Sequence, residues 1–161
     1  MTYYANQNMK KIVLSIAIIM VLLASFSCGQ NAGNNKSLGK GKVMALTFET
    51  NPSTGYAWEY KFENGEGEVV YDREENALNE DLDLVGSPNN VTYYFRATKE
   101  GNRNLVFTYR RPWEGGDVAY DVVYELSVDK NLNITCLSKM KGVVESDVEL
   151  SFFPNPTFTD N

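Results

Sequence analysis

Tyr56-Ala57-Trp58-Glu59-Tyr60-Lys61-Phe62 alternates large aromatic residues with small or charged ones, which puts Tyr56, Trp58, Tyr60 and Phe62 on one side. A period of two marks a strand with one buried face, and Trp58 is most simply a core residue. Just upstream, Val43–Thr50 reads as a second strand, apolar on both faces at its start. The two runs are joined through Asn51-Pro52-Ser53-Thr54-Gly55-Tyr56. Pro52 fixes its own φ and biases Asn51 toward an extended backbone. Asn51 can bond backbone groups two residues on, and Gly55 can take a positive φ. This is a stiff turn with two small hydroxyls near its tip.

Downstream the pattern repeats. Asn64-Gly65-Glu66-Gly67 is a turn, and residues 68–71 form a short strand. Residues 72–83 hold mostly acidic and amide side chains and read as a solvated loop or short helix, since Asp81-Leu82-Asp83 lacks the glycine-centred spacing of a calcium loop. Residues 91–97 and 104–110 are strands separated by a turn around Gly101, with Leu105, Phe107 and Tyr109 on one face of the second. Val118–Val128 is the last clear strand. No segment keeps a helical period. About seven or eight short antiparallel strands with frequent turns predict an all-β, immunoglobulin-like sandwich.

The chain has 161 residues and a formal charge of −6. Without Lys10 and Lys11 its 15 basic residues become 13 against 21 acidic ones, so the part from Cys28 onward carries −8. An acidic surface argues against a nucleic-acid partner, which needs a basic patch. There is no histidine, so the usual general base and the commonest nitrogen ligand for a metal are both missing. No catalytic residue, metal site or cofactor is expected, and the protein is not read as an enzyme.

Lys10 and Lys11 precede an apolar run over 12–24, followed by Ser25-Phe26-Ser27-Cys28-Gly29. The run is short for a permanent span and reads as a signal peptide over 1–27, with Met9 as an alternative start to Met1. A cysteine placed directly after it resembles a bacterial lipoprotein site, with acyl chains on Cys28 anchoring the protein to a membrane. Ser25 stands where the usual leucine would be. Ordinary cleavage, with a secreted or periplasmic product, is the other outcome. Residues 28–42 have the composition of a flexible tether, which puts a folded domain over 43–129 and a C-terminal extension, with possible extra strands, over 130–161. Cys136 in that extension has no histidine to activate it and reads as a small buried apolar residue.

A second loop stands between two strands: Arg111-Pro112-Trp113-Glu114-Gly115-Gly116, sixty residues after the first. Together the two loops resemble the chagasin family, protein inhibitors of papain-like cysteine peptidases. That family carries an Asn-Pro-(Thr/Ser)-Thr-Gly-(Tyr/Phe) loop near the start of its domain and an Arg-Pro-Trp loop near its end. The resemblance covers residues 38 to 129 and implies an immunoglobulin-like fold whose loops wedge into the peptidase cleft, reversibly and without covalent chemistry. It would set Ser53, Thr54 and Gly55, flanked by Asn51, Pro52 and Tyr56, over the catalytic centre of the target. Arg111, Pro112 and Trp113, with Glu114, would lie to one side. A third element, Gly86-Ser87-Pro88-Asn89, would lie to the other. The family has Gly-x-Gly-Gly there; only Gly86 matches, and Pro88 removes a backbone donor. The implied partner is a papain-family cysteine peptidase, met by a monomer. The alternative is a surface-anchored sandwich that binds a carbohydrate or protein ligand through Trp113 without inhibiting a peptidase. The plain structural reading has Trp113 folded back onto the sandwich and Arg111 merely paired with Glu114.

Overall fold

A computed structural model describes residues 37–77 and 88–160. Among them nine strands make two antiparallel sheets: β1 (Gly39–Gly41), β2 (Val43–Thr50), β3 (Ala57–Glu63), β4 (Val69–Ala77), β5 (Asn89–Ala97), β6 (Gly101–Arg110), β7 (Val118–Val128), β8 (Ile134–Lys141) and β9 (Thr157–Thr159). One sheet has the order β1-β8-β7-β6-β3 and the other β4-β5-β2-β9. Two short 3-10 turns, Pro52–Thr54 and Leu150–Phe152, are the only helical elements among the described residues. The architecture is an immunoglobulin-like β-sandwich.

The alternation seen in the sequence supplies the core. Met44, Leu46 and Phe48 of β2 and Val91, Tyr93 and Phe95 of β5 face Leu105 and Phe107 of β6 and Val122, Tyr124, Leu126 and Val128 of β7. Phe107 sits at the centre. Its ring centroid lies 4.4 Å from Phe48 and 5.1 Å from Tyr93. Tyr60 (5.9 Å), Phe95 (6.0 Å), Trp58 (6.4 Å) and Tyr124 (6.4 Å) complete the ring of neighbours. Tilted and edge-on contacts of this kind each add about 0.5–1.5 kcal/mol beyond the area they bury.

The structure departs from the sequence reading at several elements. Residues 72–77 are neither loop nor helix; they belong to β4, which pairs with β5 out to Ala77, with a bulge after Tyr71. Charged residues suit this exposed edge strand because cross-strand partners satisfy them. The Arg73 guanidinium lies 3.8 Å over the Tyr94 ring, and the Tyr94 hydroxyl donates to Glu75 at 2.9 Å. Residues 78–83 lie outside the described residues. The tether read over 28–42 ends sooner than its composition suggests, since Gly39–Gly41 pairs with β8 and Leu38 packs on the core. Its glycines have a structural reason: the Phe158 side chain occupies the space that side chains at 39 and 41 would need. Tyr56 precedes β3, half-buried, instead of opening the strand.

The C-terminal residues complete the sandwich. β8 pairs along β7 and buries Ile134 and Cys136. The segment 148–153 forms no strand; its Leu150–Phe152 part is a 3-10 turn, after which Phe153 enters the core. The Tyr124 hydroxyl, buried and pushed up in pKa by that burial, donates to the Pro154 carbonyl at 2.8 Å. β9 then pairs with the start of β2 in the opposite sheet. Because Phe107 touches rings from both sheets, Phe107→Ala is expected to cost about 3–5 kcal/mol in urea-unfolding stability. A loss below about 1 kcal/mol would remove it from the centre of the core.

Candidate functional site

The Asn51–Tyr56 segment carries the chain from one sheet to the other, and its shape follows from its residues. Asn51 is extended (φ −127°, ψ 96°), as a residue before proline prefers. Its Oδ1 accepts from the Ser53 amide at 3.1 Å and from the Ser53 hydroxyl at 2.6 Å. The Thr54 hydroxyl donates to the Asn51 carbonyl at 2.7 Å, and the Gly55 amide donates to the Pro52 carbonyl at 3.1 Å. Gly55 has φ 74°, the left-handed conformation that only glycine adopts without cost. Pro52, Ser53 and Thr54 are exposed. Both feet of the turn are fixed by Trp58, whose indole Nε1 donates to the Glu49 carbonyl at 2.9 Å.

The segment 111–117 joins β6 to β7 within one sheet. The Gly116 amide donates to the Trp113 carbonyl at 2.9 Å, and the Arg111 amide donates to the Asp117 carbonyl at 3.1 Å, which closes the loop. Pro112, Trp113 and Glu114 point into solvent, with Trp113 53% exposed.

The two loops lock onto each other. One edge of the Trp113 indole rests on Gly55, where a methyl group would lie 3.1 Å from Cη2. The Arg111 guanidinium lies 4.9 Å from the Tyr56 ring centre and 5.6 Å from that of Trp113. It pairs with Asp117 at 3.2 Å, not with Glu114, the partner in the plain structural reading, because Asp117 closes the loop on its own side. Tyr56 donates its hydroxyl to the same Asp117. The Tyr56 ring stacks on Tyr109 at 5.2 Å, and the Tyr109 hydroxyl reaches the Thr54 hydroxyl at 3.5 Å. Asp117 and Tyr109 were not legible as site residues. Asp117 directly follows the loop motif, which was the available signal; Tyr109 looks like any inward strand residue.

The Tyr56 hydroxyl, with help from Arg111, holds the Asp117 carboxyl below the usual carboxylate range, and Asp117 in turn raises the Tyr56 phenol. Of the third predicted element, only Pro88 and Asn89 are among the described residues. Asn89 opens β5, opposite Thr50, and Asn90 faces Glu49, so the start of β5 lies beside the foot of the first loop. Asn89 is therefore a strand residue, not a loop residue. Pro88 precedes it, while Gly86 and Ser87, like Cys28, lie outside the described residues. As for a nucleophile, the Cys136 thiol is buried, and burial pushes its pKa up to about 12.

Two stiff, exposed loops thus meet at one end of the sandwich, where the half-exposed Trp113 indole rests on Gly55 beside the Arg111 guanidinium. The chain belongs to the chagasin family of peptidase inhibitors: the model of the family described as "Chagasin family peptidase inhibitor I42" matches residues 37–128, more than half of the sequence. Among solved structures, a cysteine protease inhibitor from Entamoeba histolytica is similar at 24% identity and a TM-score of 0.47, covering 55% of this chain and 80% of that one. No curated protein matches the sequence.

The Asp117 network has a pH signature. Because its folded pKa lies below the unfolded value of about 3.9, its stabilisation is present above that value and is lost as pH falls through the folded pKa. An NMR titration of the Asp117 carboxyl is expected to give a value below the unperturbed one, moving upward in Tyr56→Phe; an ordinary value in the wild-type chain would rule the network out.

Proposed function

We propose that this chain is a reversible, non-covalent inhibitor of papain-family cysteine peptidases, acting as a monomer through three loops that fill the active-site cleft. The observation that carries the reading is the seating of Trp113 on Gly55, which joins the family's two motif loops into one exposed edge. Ser53, Thr54 and Gly55, between Asn51 and Tyr56, would meet the catalytic centre. Arg111, Pro112, Trp113 and Glu114 would pack along one wall of the cleft, and residues 86–89 along the other.

Pre-ordering supports this mode. The Asn51 side chain, two prolines and the Arg111–Asp117 pair fix the loops before binding, which lowers the ordering cost of association. Trp beside Arg is the composition of an interface hot spot. The buried, protonated Cys136 offers the target no nucleophile, so blockade rests on shape and contact. The basic and apolar N-terminal stretch ending at Cys28 supports export, with a lipid anchor at Cys28 holding the inhibitor at a bacterial cell envelope.

The test is steady-state inhibition of papain and of a cathepsin L-like enzyme by the full-length chain in detergent, after preincubation. Tight, reversible inhibition is expected. Trp113→Ala is expected to weaken it by roughly thirtyfold or more, the effect of losing a hot-spot residue, and Thr54→Ala to weaken it as well. Inhibition untouched by both substitutions would refute the loop wedge. Ligand binding that needs Trp113 but not Thr54, without inhibition, would make the chain a binding module instead.

A further inference from the structure

Residues 129–161 lie beyond the family match, and part of them returns to the loop end of the sandwich. β8 runs antiparallel to β7, and its last residue, Lys141, pairs with Val122 near the start of β7. The chain therefore leaves β8 on the same side as the Arg111–Asp117 loop. Three anchors then hold it. The Asp121 carboxylate, only 7% exposed, accepts from the amides of Val143 at 3.1 Å and Val144 at 3.0 Å. The Lys141 ammonium donates to the Ser146 carbonyl at 2.7 Å. Val148 and Leu150 pack on the core.

Held in this way, the segment alternates. Residues 144, 146, 148 and 150 are partly covered, while Val143, Glu145, Asp147 and Glu149 face solvent. It ends in the turn Leu150–Phe152, which leaves Phe152 55% exposed. A lone exposed phenylalanine requires no explanation. This one closes a row. Its ring lies 5.3 Å from Tyr120, Tyr120 stacks on Tyr109 at 5.2 Å, and Tyr109 stacks on Tyr56 at 5.2 Å. The row of partly buried rings runs from the extension to Tyr56 of the first loop, so the extension stands beside the edge that carries Trp113.

The charge on the segment selects the occupant. Its outward acids would repel a second copy of a chain whose net charge is −6, and they suit a cationic partner. We propose that residues 142–152 form an additional contact element for the target peptidase, with Phe152 as its apolar anchor and Glu145, Asp147 and Glu149 facing basic residues on the rim of the cleft. The extension would then set which papain-family peptidases are bound tightly. This rests on the inhibitor reading above.

The test uses the full-length chain in detergent against a panel of papain-family peptidases with acidic, neutral and basic cleft rims. Phe152→Ala is expected to raise the inhibition constant roughly tenfold, a typical interface-residue effect, for basic-rim enzymes and little for the others, with the Tm of the chain unchanged. If Phe152→Ala lowers Tm, Glu145→Gln/Asp147→Asn/Glu149→Gln serves in its place. That variant is expected to slow association with the same enzymes and to flatten its dependence on salt. Inhibition that Trp113→Ala weakens while the extension variants leave it unchanged across the panel would overturn this proposal alone. A wild-type chain that inhibits no member of the panel would overturn it together with the inhibitor reading.

Discussion

The hydrogen bond from the Trp58 indole to the Glu49 carbonyl is the constraint on which the loop end depends. It joins the last part of β2 to the first part of β3 across the gap between the sheets. The ring lies 4.2 Å from Phe48 and 4.9 Å from Tyr109, and the Trp58 carbonyl accepts from the Tyr93 hydroxyl at 3.2 Å. One residue therefore ties together β2, β3, β5 and β6. The Asn51–Tyr56 turn is rigid at its tip because of its own Asn, Pro and Gly, and fixed at its base because of Trp58.

The part of the chain outside the family match is built into the fold. β8 covers the free edge of β7, Phe153 enters the core, and β9 adds a short strand at the margin of the other sheet. Without this part, Tyr124, Leu126 and Val128 would lose Ile134, Cys136 and Phe153 as neighbours in the core. Cys136 is among the fully buried residues. Its thiol is a small apolar filler in a space shared with Tyr124 and Leu126, in keeping with its raised pKa.

The fold class was legible because period-two alternation survives in most strands; residues 56–62 and 104–110 place their aromatic residues as read. The alternation fails where a strand is exposed on both faces, as in β4 from Asp72 onward, whose charges look like a loop until Tyr94 and Arg96 of β5 are set beside them. It also fails at β1, where glycines read as linker are required by the ring of Phe158, more than a hundred residues away. The loop motifs could be found from their residues. Their union could not: Trp113 against Gly55, and Arg111 with Tyr56 and Asp117, are tertiary contacts between stretches sixty residues apart. Charge alone pointed Arg111 to Glu114, which is nearer in sequence; loop closure at Asp117 decided otherwise.

The two motif loops are attached in different ways. The first crosses from one sheet to the other, whereas the second is a hairpin within a single sheet. They meet because the first loop lands on β3, the paired neighbour of β6, with Ala57 opposite Arg110. Two packed sheets stand about 10 Å apart, a spacing set by the side chains between them. Phe48 and Phe95 on one sheet and Phe107 on the other fill that space, so they set the span the first loop must bridge between the end of β2 and the start of β3. A change of volume there would shift the shape of that loop along with the stability of the fold, so the geometry of the surface is partly written in residues that never reach it.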